Sequence, residues 1–267
     1  MALPSARPGA TCLITGASSG IGADIARELA KRRRGVTLVA RREERLHELA
    51  EELVEDHGVR AETIGCDVTD ETGRERLREE LAARGVDVEV LVNNAGFGSG
   101  GAFVELDGAH EASMVRTNCE ALVALTGDYL PSMVEHGRGA ILNLGSLIAF
   151  QPMPFQATYG ATKAFVLAFS EAIHEELRGT GVTVTALCPG PVRTEFGEAG
   201  GFGGADEKIP SWAWLSPDEV ARAGVEGLER GRRVVVPGPL NQAGALSGQH
   251  FPRGVLLPLL RRLWPVG

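Results

Sequence analysis

The segment ATCLITGASSGIG, residues 10–22, places a glycine-rich turn directly after an apolar run. The apolar run predicts a buried strand over 10–14, and the residues after the turn predict an amphipathic helix over 20–34. Glycines at such a turn permit a tight bend and let backbone N–H groups approach a pyrophosphate at the helix N-terminus. The spacing is GxxxGxG rather than the GxGxxG of the standard dinucleotide fingerprint, so the segment alone is also compatible with an ordinary strand-to-helix turn.

Strand and helix patterns continue to alternate after this turn. Strands are predicted at 10–14, 35–40, 60–66, 88–92, 140–144, 182–187 and 233–236. Helices are predicted at 20–34, 43–57, 70–84, 109–136, 158–178 and 217–230. Several strands are continuous apolar runs, which is typical of strands covered on both faces. The sequence therefore predicts an α/β fold: a doubly wound (Rossmann-type) parallel sheet of about seven strands with helices on both faces.

No linker or shift in composition divides the chain, so residues 1–267 are interpreted as a single domain. Hydrophobic residues make up 43% of the chain, enough to bury a core without disulfides or structural metals. Two segments break the alternation. Residues 190–215 are irregular and glycine-rich, and residues 239–267 carry four prolines and an apolar, basic end.

The net charge of −8 argues against nucleic acid as a partner, because a phosphate backbone repels an acidic chain. One basic run, Lys31 to Arg34, falls where a helix is expected to end and where cations complement the helix dipole. The four cysteines are isolated, which favours reduced thiols in a cytoplasmic protein. No signal peptide or transmembrane segment is predicted. The six histidines show no ligand spacing, so no metal site is predicted.

Polar residues and glycines follow other predicted strands, at the edge where parallel sheets bind ligands. NNAG at 93–96 ends the fourth strand and Ser146 follows the fifth. Pro189-Gly190 closes the sixth strand, and Thr194 follows shortly after. These positions converge on one edge of the predicted sheet.

Tyr159 and Lys163 lie four residues apart in the predicted helix 158–178, so their side chains share one helix face. By itself such a pair is usually a surface pair whose lysine extends to solvent. Ser146 by itself is usually a helix cap or a turn residue. The ordered set of motifs favours a catalytic site over these separate structural roles.

TGASSGIG, NNAG, Ser146, YGATK and PG occur in the order and approximate spacing of the short-chain dehydrogenase/reductase family, which the chain resembles from about residue 10 to 195. The resemblance implies an oxidoreductase that acts on a CH–OH or C=O group with a nicotinamide cofactor. It also implies that Asn118 completes a catalytic tetrad with Ser146, Tyr159 and Lys163, and positions a water that relays protons.

Reduction of a carbonyl needs a hydride on carbon and a proton on oxygen. The ordinary pKa of a tyrosine, about 10, is too high for easy proton exchange at neutral pH, and a neighbouring cation lowers it. Lys163 is placed to be that cation, so Tyr159 is predicted to act as general acid in reduction and general base in oxidation. Ser146 is predicted to donate a hydrogen bond to the substrate oxygen. The resemblance implies that Lys163 also holds the nicotinamide ribose.

Arg41 and Arg42 follow the second strand, where NAD-preferring relatives carry an acidic residue for the ribose 2′-hydroxyl. A guanidinium suits a 2′-phosphate, so preference for NADP(H) over NAD(H) is predicted, chiefly from Arg41. Arg42 is compatible with sharing the phosphate or with facing water. Ser19 stands where many NADP-preferring relatives carry a second cation, which weakens the prediction. The resemblance implies further cofactor contacts from Gly16, Ser18, Ser19, Gly20, Ile21, Gly22, Asp67, Val68, Asn94, Ala95, Gly96, Tyr159, Lys163, Pro189, Gly190, Val192 and Thr194.

Residues 190–215 lie where the family places its substrate lid. The aromatic residues expected on its apolar inner face are Phe196, Phe202, Trp212 and Trp214. The residues expected on the opposite wall are Phe150, Met153 and Phe155. Together they predict a fairly hydrophobic substrate, with packing against a neighbouring subunit as the alternative.

The predicted helix 158–178 presents Phe165, Phe169 and Ile173 along one face. Relatives commonly pair through this helix and the one before it, so a homodimer or homotetramer is predicted. The tail Phe251–Trp264 is compatible with a membrane surface, or with packing on the substrate mouth or on a partner subunit. The second arrangement is favoured because Pro252 and Pro258 would break a long surface helix.

Two other functions fit the family less well. An NADP(H)-binding sensor or scaffold without turnover would be signalled by loss of Tyr159 or Lys163, and both residues are present. A sugar epimerase or dehydratase would carry a differently spaced glycine motif and a larger C-terminal region. The small molecule that reacts is therefore predicted to be a carbonyl or alcohol substrate.

Overall fold

A computed structural model of the protein describes residues 3–196 and 209–263. Seven parallel strands form one sheet: β1 Ala10–Thr15, β2 Val36–Ala40, β3 Ala61–Gly65, β4 Asp87–Asn93, β5 Gly139–Leu144, β6 Val182–Leu187 and β7 Val234–Val235. Their order is β3-β2-β1-β4-β5-β6-β7. The strand order reverses between β1 and β4, and at such a switch point the carboxyl ends of the strands open a ligand crevice. The predicted doubly wound sheet is confirmed.

Helices cover both faces of the sheet. They are α1 Gly20–Lys31, α2 Glu43–His57, α3 Glu71–Ala83, α4 Gly108–Val115, α5 Ala121–Glu135, α6 Ala157–Glu176, α7 Pro217–Glu229, α8 Pro239–His250 and α9 Arg253–Leu263. The strands and the helices up to α7 lie within a few residues of their predicted positions.

Alternate side chains of each strand pack on opposite faces of the sheet. Ile14 of β1 and Leu38 of β2 lie in one core cluster with Leu29 of α1. Leu13 of β1 lies in the other cluster, with Leu77 of α3. All five side chains are fully buried, and burial of each stabilises the fold by about 1.5–3 kcal/mol. Strands with two apolar faces are therefore needed, which explains the unbroken apolar runs.

The predicted helix 109–136 is not one continuous α-helix. A π-helical turn at Arg116–Glu120 joins α4 to α5. Such turns occur frequently at functional sites, and this one contains Asn118. The helical hydrophobic pattern runs through the turn, so no local pattern of residues marks the interruption.

The segment 239–267, for which no helix was predicted, forms α8 and α9 over its described part. Pro239 begins α8, where a missing N–H costs no hydrogen bond. Pro252 separates the two helices, whereas Pro258 lies inside α9. The expectation that Pro258 breaks a helix is therefore wrong, and the loss of one main-chain bond is tolerated. Trp264, at the end of the predicted tail, lies outside the described residues.

The basic run lies at the end of α1, as predicted, and its side chains bind neighbouring groups. Lys31 and Arg32 donate to the Glu28 carboxylate, at 2.9 and 2.6 Å. Arg33 and Arg34 donate to main-chain carbonyls.

The four cysteines are buried and free. Within 3–196 and 209–263 no helix is long and apolar enough to cross a membrane. The same residues contain no group of His, Cys, Asp and Glu side chains that could hold a metal ion.

Candidate active site

The glycine-rich turn is shaped by contact with the end of β4. Gly16 and Gly20 have φ values of +64° and +57°, which favour glycine. The Asn94 side-chain amide donates to the carbonyl oxygens of Thr15 and Gly16, at 2.9 and 3.1 Å. A Cβ at Gly22 would lie only 2.4 Å from that amide nitrogen. The Asn94 amide therefore holds the turn against the end of β4, and the lack of a side chain at Gly22 makes room for that amide.

The N-terminus of α1 is left open toward the crevice. Ser19 is its N-cap residue, yet its side chain makes no capping hydrogen bond, and the first turn carries no acidic residue. The first N–H groups of a helix need partners, and the helix dipole favours an anion there. Gly20 and Ile21 of this turn line the cleft. The arrangement fits the pyrophosphate of a dinucleotide.

Of the two arginines after β2, Arg42 lies at the serines of the turn. Its Nη2 donates to Ser18 Oγ at 3.1 Å and to Ser19 Oγ at 2.9 Å. Arg41 lines the cleft nearer Asp67, and its charge helps to lower the pKa of that carboxyl group. The structure therefore adds a cluster of one cation and two hydroxyls around Arg42, and the binding of a 2′-phosphate by Arg41 stays a prediction.

Asp67 and Val68 line the cleft after β3, as predicted for the adenine end. The Asp67 carboxylate accepts hydrogen bonds from the N–H and the hydroxyl of Thr69, at 2.9 and 2.7 Å. Burial raises the pKa of Asp67, but the two Thr69 bonds and the charge of Arg41 outweigh burial and hold the pKa below its ordinary value.

Ser146, Tyr159 and Lys163 converge on the cleft. Burial raises the pKa of the Tyr159 hydroxyl to about 12, although a hydrogen bond with Ser146 opposes the rise. Burial also lowers the pKa of Lys163 to about 8. Lys163 Nζ donates to the carbonyl oxygen of Leu144 at 2.8 Å and lies 5.8 Å from the Tyr159 ring centroid. The expected lowering of the Tyr159 pKa by Lys163 is wrong for the free protein, because desolvation dominates both groups.

Ser146 has the capping role that the sequence allowed, and its hydrogen bond to a substrate oxygen stays a prediction. Its Oγ accepts from the N–H of Ile148 at 3.4 Å and so caps the short 3-10 turn Leu147–Phe150. The same side chain makes the hydrogen bond with Tyr159. The cap holds the Ser146 hydroxyl just after the carboxyl end of β5, beside Tyr159.

Asn118 lies behind the cleft and does not line it. Its Nδ2 donates to the Phe97 carbonyl at 2.9 Å and to Thr162 Oγ1 at 3.0 Å, while its Oδ1 accepts from the Phe97 N–H at 3.1 Å. The Thr162 hydroxyl in turn donates to the carbonyl of Tyr159 at 2.8 Å. Asn118 thus joins the segment after β4 to the helix that carries Tyr159 and Lys163.

The remaining predicted cofactor contacts line the cleft, apart from Gly22. Those after β4 are Asn94, Ala95 and Gly96, and those after β6 are Pro189, Gly190, Val192 and Thr194. Asn241 of α8 packs against Gly190, where a Cβ would lie 2.3 Å from its Oδ1. Sequence reasoning missed Asn241 because it lies far along the chain from the turn it supports.

The predicted lid is only partly described, since 197–208, including Phe202, lie outside the described residues. The Phe196 ring lies 5.6 Å from the Tyr159 ring, and Trp214 lines the cleft. Trp212 does not fit the prediction, because 72% of it is exposed and it does not line the cleft.

Of the predicted opposite wall, only Met153 lines the cleft. Phe150 packs instead on the buried cluster that contains Leu167 and Cys188. Phe155 has a positive φ of +66° and its carbonyl accepts from the Gly101 N–H at 2.9 Å. Both phenylalanines are turned away by the path of the loop, which the sequence does not reveal.

The cleft has a volume of about 1500 Å³, enough for a dinucleotide and a small substrate. Sequence reasoning missed several polar side chains of its lining, which follow no strand end and form no motif. They are His110, Ser113, Arg116, Thr117, Gln151 and Gln156.

A family model described as short chain dehydrogenase matches residues 10–200. The chain is 44% identical to sulfoacetaldehyde reductase 2 of Chromohalobacter salexigens over 186 residues, which cover 69% of this chain and 73% of that protein. It is 39% identical to an NADP-dependent 3-hydroxy acid dehydrogenase of Salmonella typhi over 79% of this chain and 86% of that protein. The fold matches a short-chain dehydrogenase from Sphingobium yanoikuyae in complex with NADPH, with a TM-score of 0.78, 36% identity and coverage of 92% and 94%. The protein therefore belongs to the short-chain dehydrogenase/reductase family and is an oxidoreductase of hydroxyl and keto groups.

Proposed function

We propose that the protein transfers a hydride between NADP(H) and a carbonyl or alcohol carbon of a fairly hydrophobic small molecule. The observation that carries the proposal is the convergence of Ser146, Tyr159 and Lys163 beside the open N-terminus of α1. An anion site and a proton-transfer group in one cleft suit hydride transfer with a dinucleotide.

The cofactor would lie along the carboxyl edge of the sheet. The N–H groups of Gly20 and Ile21 would hold its pyrophosphate, Asp67 and Val68 its adenine, and Lys163 its nicotinamide ribose. When bound, the nicotinamide ring supplies or accepts the hydride.

Tyr159 donates the proton to the substrate oxygen in reduction, and a raised pKa keeps its hydroxyl protonated at neutral pH. Ser146 donates a hydrogen bond to the same oxygen, where negative charge develops. Oxidation needs the reverse proton transfer, which requires positive charge near Tyr159. Lys163 supplies such a charge below its own pKa of about 8.

Preference for NADP(H) is supported by the cluster of Arg42, Ser18 and Ser19. One guanidinium and two hydroxyls can donate several hydrogen bonds to a 2′-phosphate, and bonds to a charged group are the strong ones. The NADP-dependent relative and the NADPH-bound neighbour are in agreement with this choice.

The decisive experiment follows NADPH oxidation against a broad panel of ketones and aldehydes, with NADH in parallel. We expect turnover of apolar ketones with NADPH and weaker turnover with NADH. Binding of NADPH without turnover of any carbonyl compound would instead favour a sensor or scaffold.

We also propose that the protein is a cytoplasmic homodimer or homotetramer, since the cytoplasm keeps thiols such as its four buried cysteines reduced. The outer face of α6 leaves Phe165 42% exposed, stacked on Phe169 at 5.8 Å. An exposed, stacked phenylalanine on a helix face favours contact with a second copy. Sedimentation at micromolar concentration tests this: Phe165→Glu should shift an oligomer toward monomer, and a monomeric native protein would refute it.

A further inference from the structure

A second cavity adjoins the cleft. Its volume is about 480 Å³, and it lies between the loop 149–154, helix α6 and helix α9. Its lining is mainly apolar and includes Phe150, Ala157, Ala161 and Leu257. Gln151 and Met153 line both this cavity and the main cleft, so they form the border between them.

Arg253 is the one charged residue in the lining of this second cavity. No carboxylate within the described part of the chain lies within 4.0 Å of its guanidinium, and no hydrogen bond from it is present there. The sequence contains no aspartate or glutamate after Glu229, so the segment that carries Arg253 supplies no acidic side chain to pair with it. An unpaired guanidinium at the edge of an apolar cavity suits an oxyanion, which it can bind through two parallel hydrogen bonds.

We propose that the second cavity binds the distal part of the substrate, and that Arg253 binds a carboxylate at its far end. This inference rests on the proposed function, in which the carbonyl lies at Ser146 and Tyr159. The substrate class is then an oxo or hydroxy acid whose two polar ends are separated by an apolar chain or ring system. The apolar lining would bury that middle part.

The border between the cavities sets a length requirement. The substrate must pass Met153, whose unbranched thioether side chain adapts easily to different shapes. Short 2-oxo acids keep the carboxylate beside the reacting carbonyl, so they cannot reach Arg253. Longer oxo acids can place the carbonyl at Tyr159 and the carboxylate at Arg253 together.

The test compares medium-chain oxo acids with their methyl esters, using NADPH and the full chain. We expect kcat/KM to favour the acid about tenfold, because one charge-assisted contact at a partly exposed site is worth about one power of ten. The preference should weaken as salt rises. Arg253→Gln should bring the ratio of acid to ester close to one.

Arg261→Gln is the matched control, since Arg261 lies on the same helix, is exposed and does not line the cavity. It should retain the native ratio. Binding of decanoate, measured by calorimetry in the presence of NADP(H), gives a readout that does not need turnover. Arg253→Gln should weaken this binding and Arg261→Gln should not.

The possible outcomes separate the two proposals. Absence of turnover with every carbonyl compound refutes the proposed function, whereas decanoate binding that depends on Arg253 still supports the anion site. Turnover with equal or better use of the esters overturns the anion site and leaves the proposed function standing. A change in sedimenting mass in Arg253→Gln, with an unchanged substrate ratio, would assign the cavity to a partner subunit and also overturn it.

Discussion

The nucleotide wall of the cleft, residues 15–22 together with 94–96, is held by directional hydrogen bonds to main-chain groups. The Thr15 hydroxyl donates to the Val92 carbonyl at 3.1 Å and accepts from the N–H groups of Asn94 and Ala95, each at 3.0 Å. Each of these bonds joins β1 to the end of β4. Three separate hydrogen bonds therefore hold the glycine-rich turn in position.

The substrate wall, residues 150–155 together with 190–196 and 209–214, lies on loops and combines aromatic contacts with hydrogen bonds within those loops, such as that from the Trp214 indole N–H to the Ile209 carbonyl at 3.3 Å. Its aromatic rings meet each other or a cation: Phe196 lies 5.6 Å from Tyr159, and the Arg193 guanidinium lies 5.6 Å from the Trp214 ring. These side chains lie on loops, so one can replace another without moving the strands. The difference teaches that the cofactor site is specified by the fold, whereas the substrate is specified by side chains on its loops.

Loss of the proton donor should have the largest effect and should leave the nucleotide wall intact. Tyr159→Phe should lower turnover by at least about a hundredfold, the usual scale of general acid–base catalysis, with little change in the dissociation constant of NADPH. Steady-state kinetics and fluorescence titration measure the two quantities. Tyr129→Phe is the matched control, because Tyr129 is the only other tyrosine and packs on the buried face of the sheet away from the cleft. Near-native turnover in Tyr159→Phe would contradict the assignment.

Variants of Arg41 and Arg42 test which of the two side chains in the nucleotide wall binds the 2′-phosphate. Arg42→Gln should lower kcat/KM with NADPH about tenfold and leave the value with NADH nearly unchanged, since it removes one charge-assisted contact. Arg41→Gln should have a smaller effect, because its side chain is not bound to Ser18 or Ser19. Values of kcat/KM for both variants with NADPH and with NADH show which arginine contributes to the preference for NADPH. Equal use of NADPH and NADH by the native enzyme would mean that neither arginine binds the 2′-phosphate.

Lys163 lies where the two walls meet, and its burial should appear in the pH dependence of stability. Its pKa is about 8 in the folded protein against 10.5 ordinarily, so between these values the unfolded chain binds more protons than the native one. Stability contributed at this site therefore rises with pH across that window. The free energy of unfolding of the native protein, relative to Lys163→Met, should increase by about 2 kcal/mol from pH 7.5 to 9.5.

Denaturant unfolding of the cofactor-free protein measures this difference. The comparison with Lys163→Met is needed because burial raises the pKa of Cys12 and Cys188 to about 12, which lowers stability with rising pH in both proteins. A constant difference between the two proteins would show that Lys163 keeps its proton in the folded state.

One ion-pair cluster connects the walls, and its removal should have the smallest effect. The Glu195 carboxylate accepts from Arg45 at 2.8 Å and from Arg42 at 3.2 Å, and these cations hold its pKa below the ordinary value. A 2′-phosphate would compete with this carboxylate for Arg42. Glu195→Gln should therefore tighten NADPH binding by about two- to threefold, a small change because the pairs are exposed. NADH binding is the control and should not change; weaker NADPH binding would show that Glu195 supports the site.

Much of the nucleotide wall and of the catalytic centre could be predicted from residues close together in the chain. Glycine spacing marks the turn after β1, and the four-residue spacing of Tyr159 and Lys163 places both on one side of α6. Those signals are local, so they need no knowledge of the rest of the molecule. The substrate wall gave weaker signals: Phe155 and Trp212 are aromatic residues in the right segment, yet neither lines the cleft.

By itself the sequence determined the sheet, the order of its elements and the three side chains Ser146, Tyr159 and Lys163, because alternating apolar periods and short motifs are properties of neighbouring residues. Only the tertiary structure decided which arginine meets the serines of the turn, and that burial rather than Lys163 sets the pKa of Tyr159. It alone placed Arg253 beside a cavity built from residues about a hundred positions earlier. The physical reason is that burial and side-chain contact depend on groups brought together by folding, and no local pattern contains them.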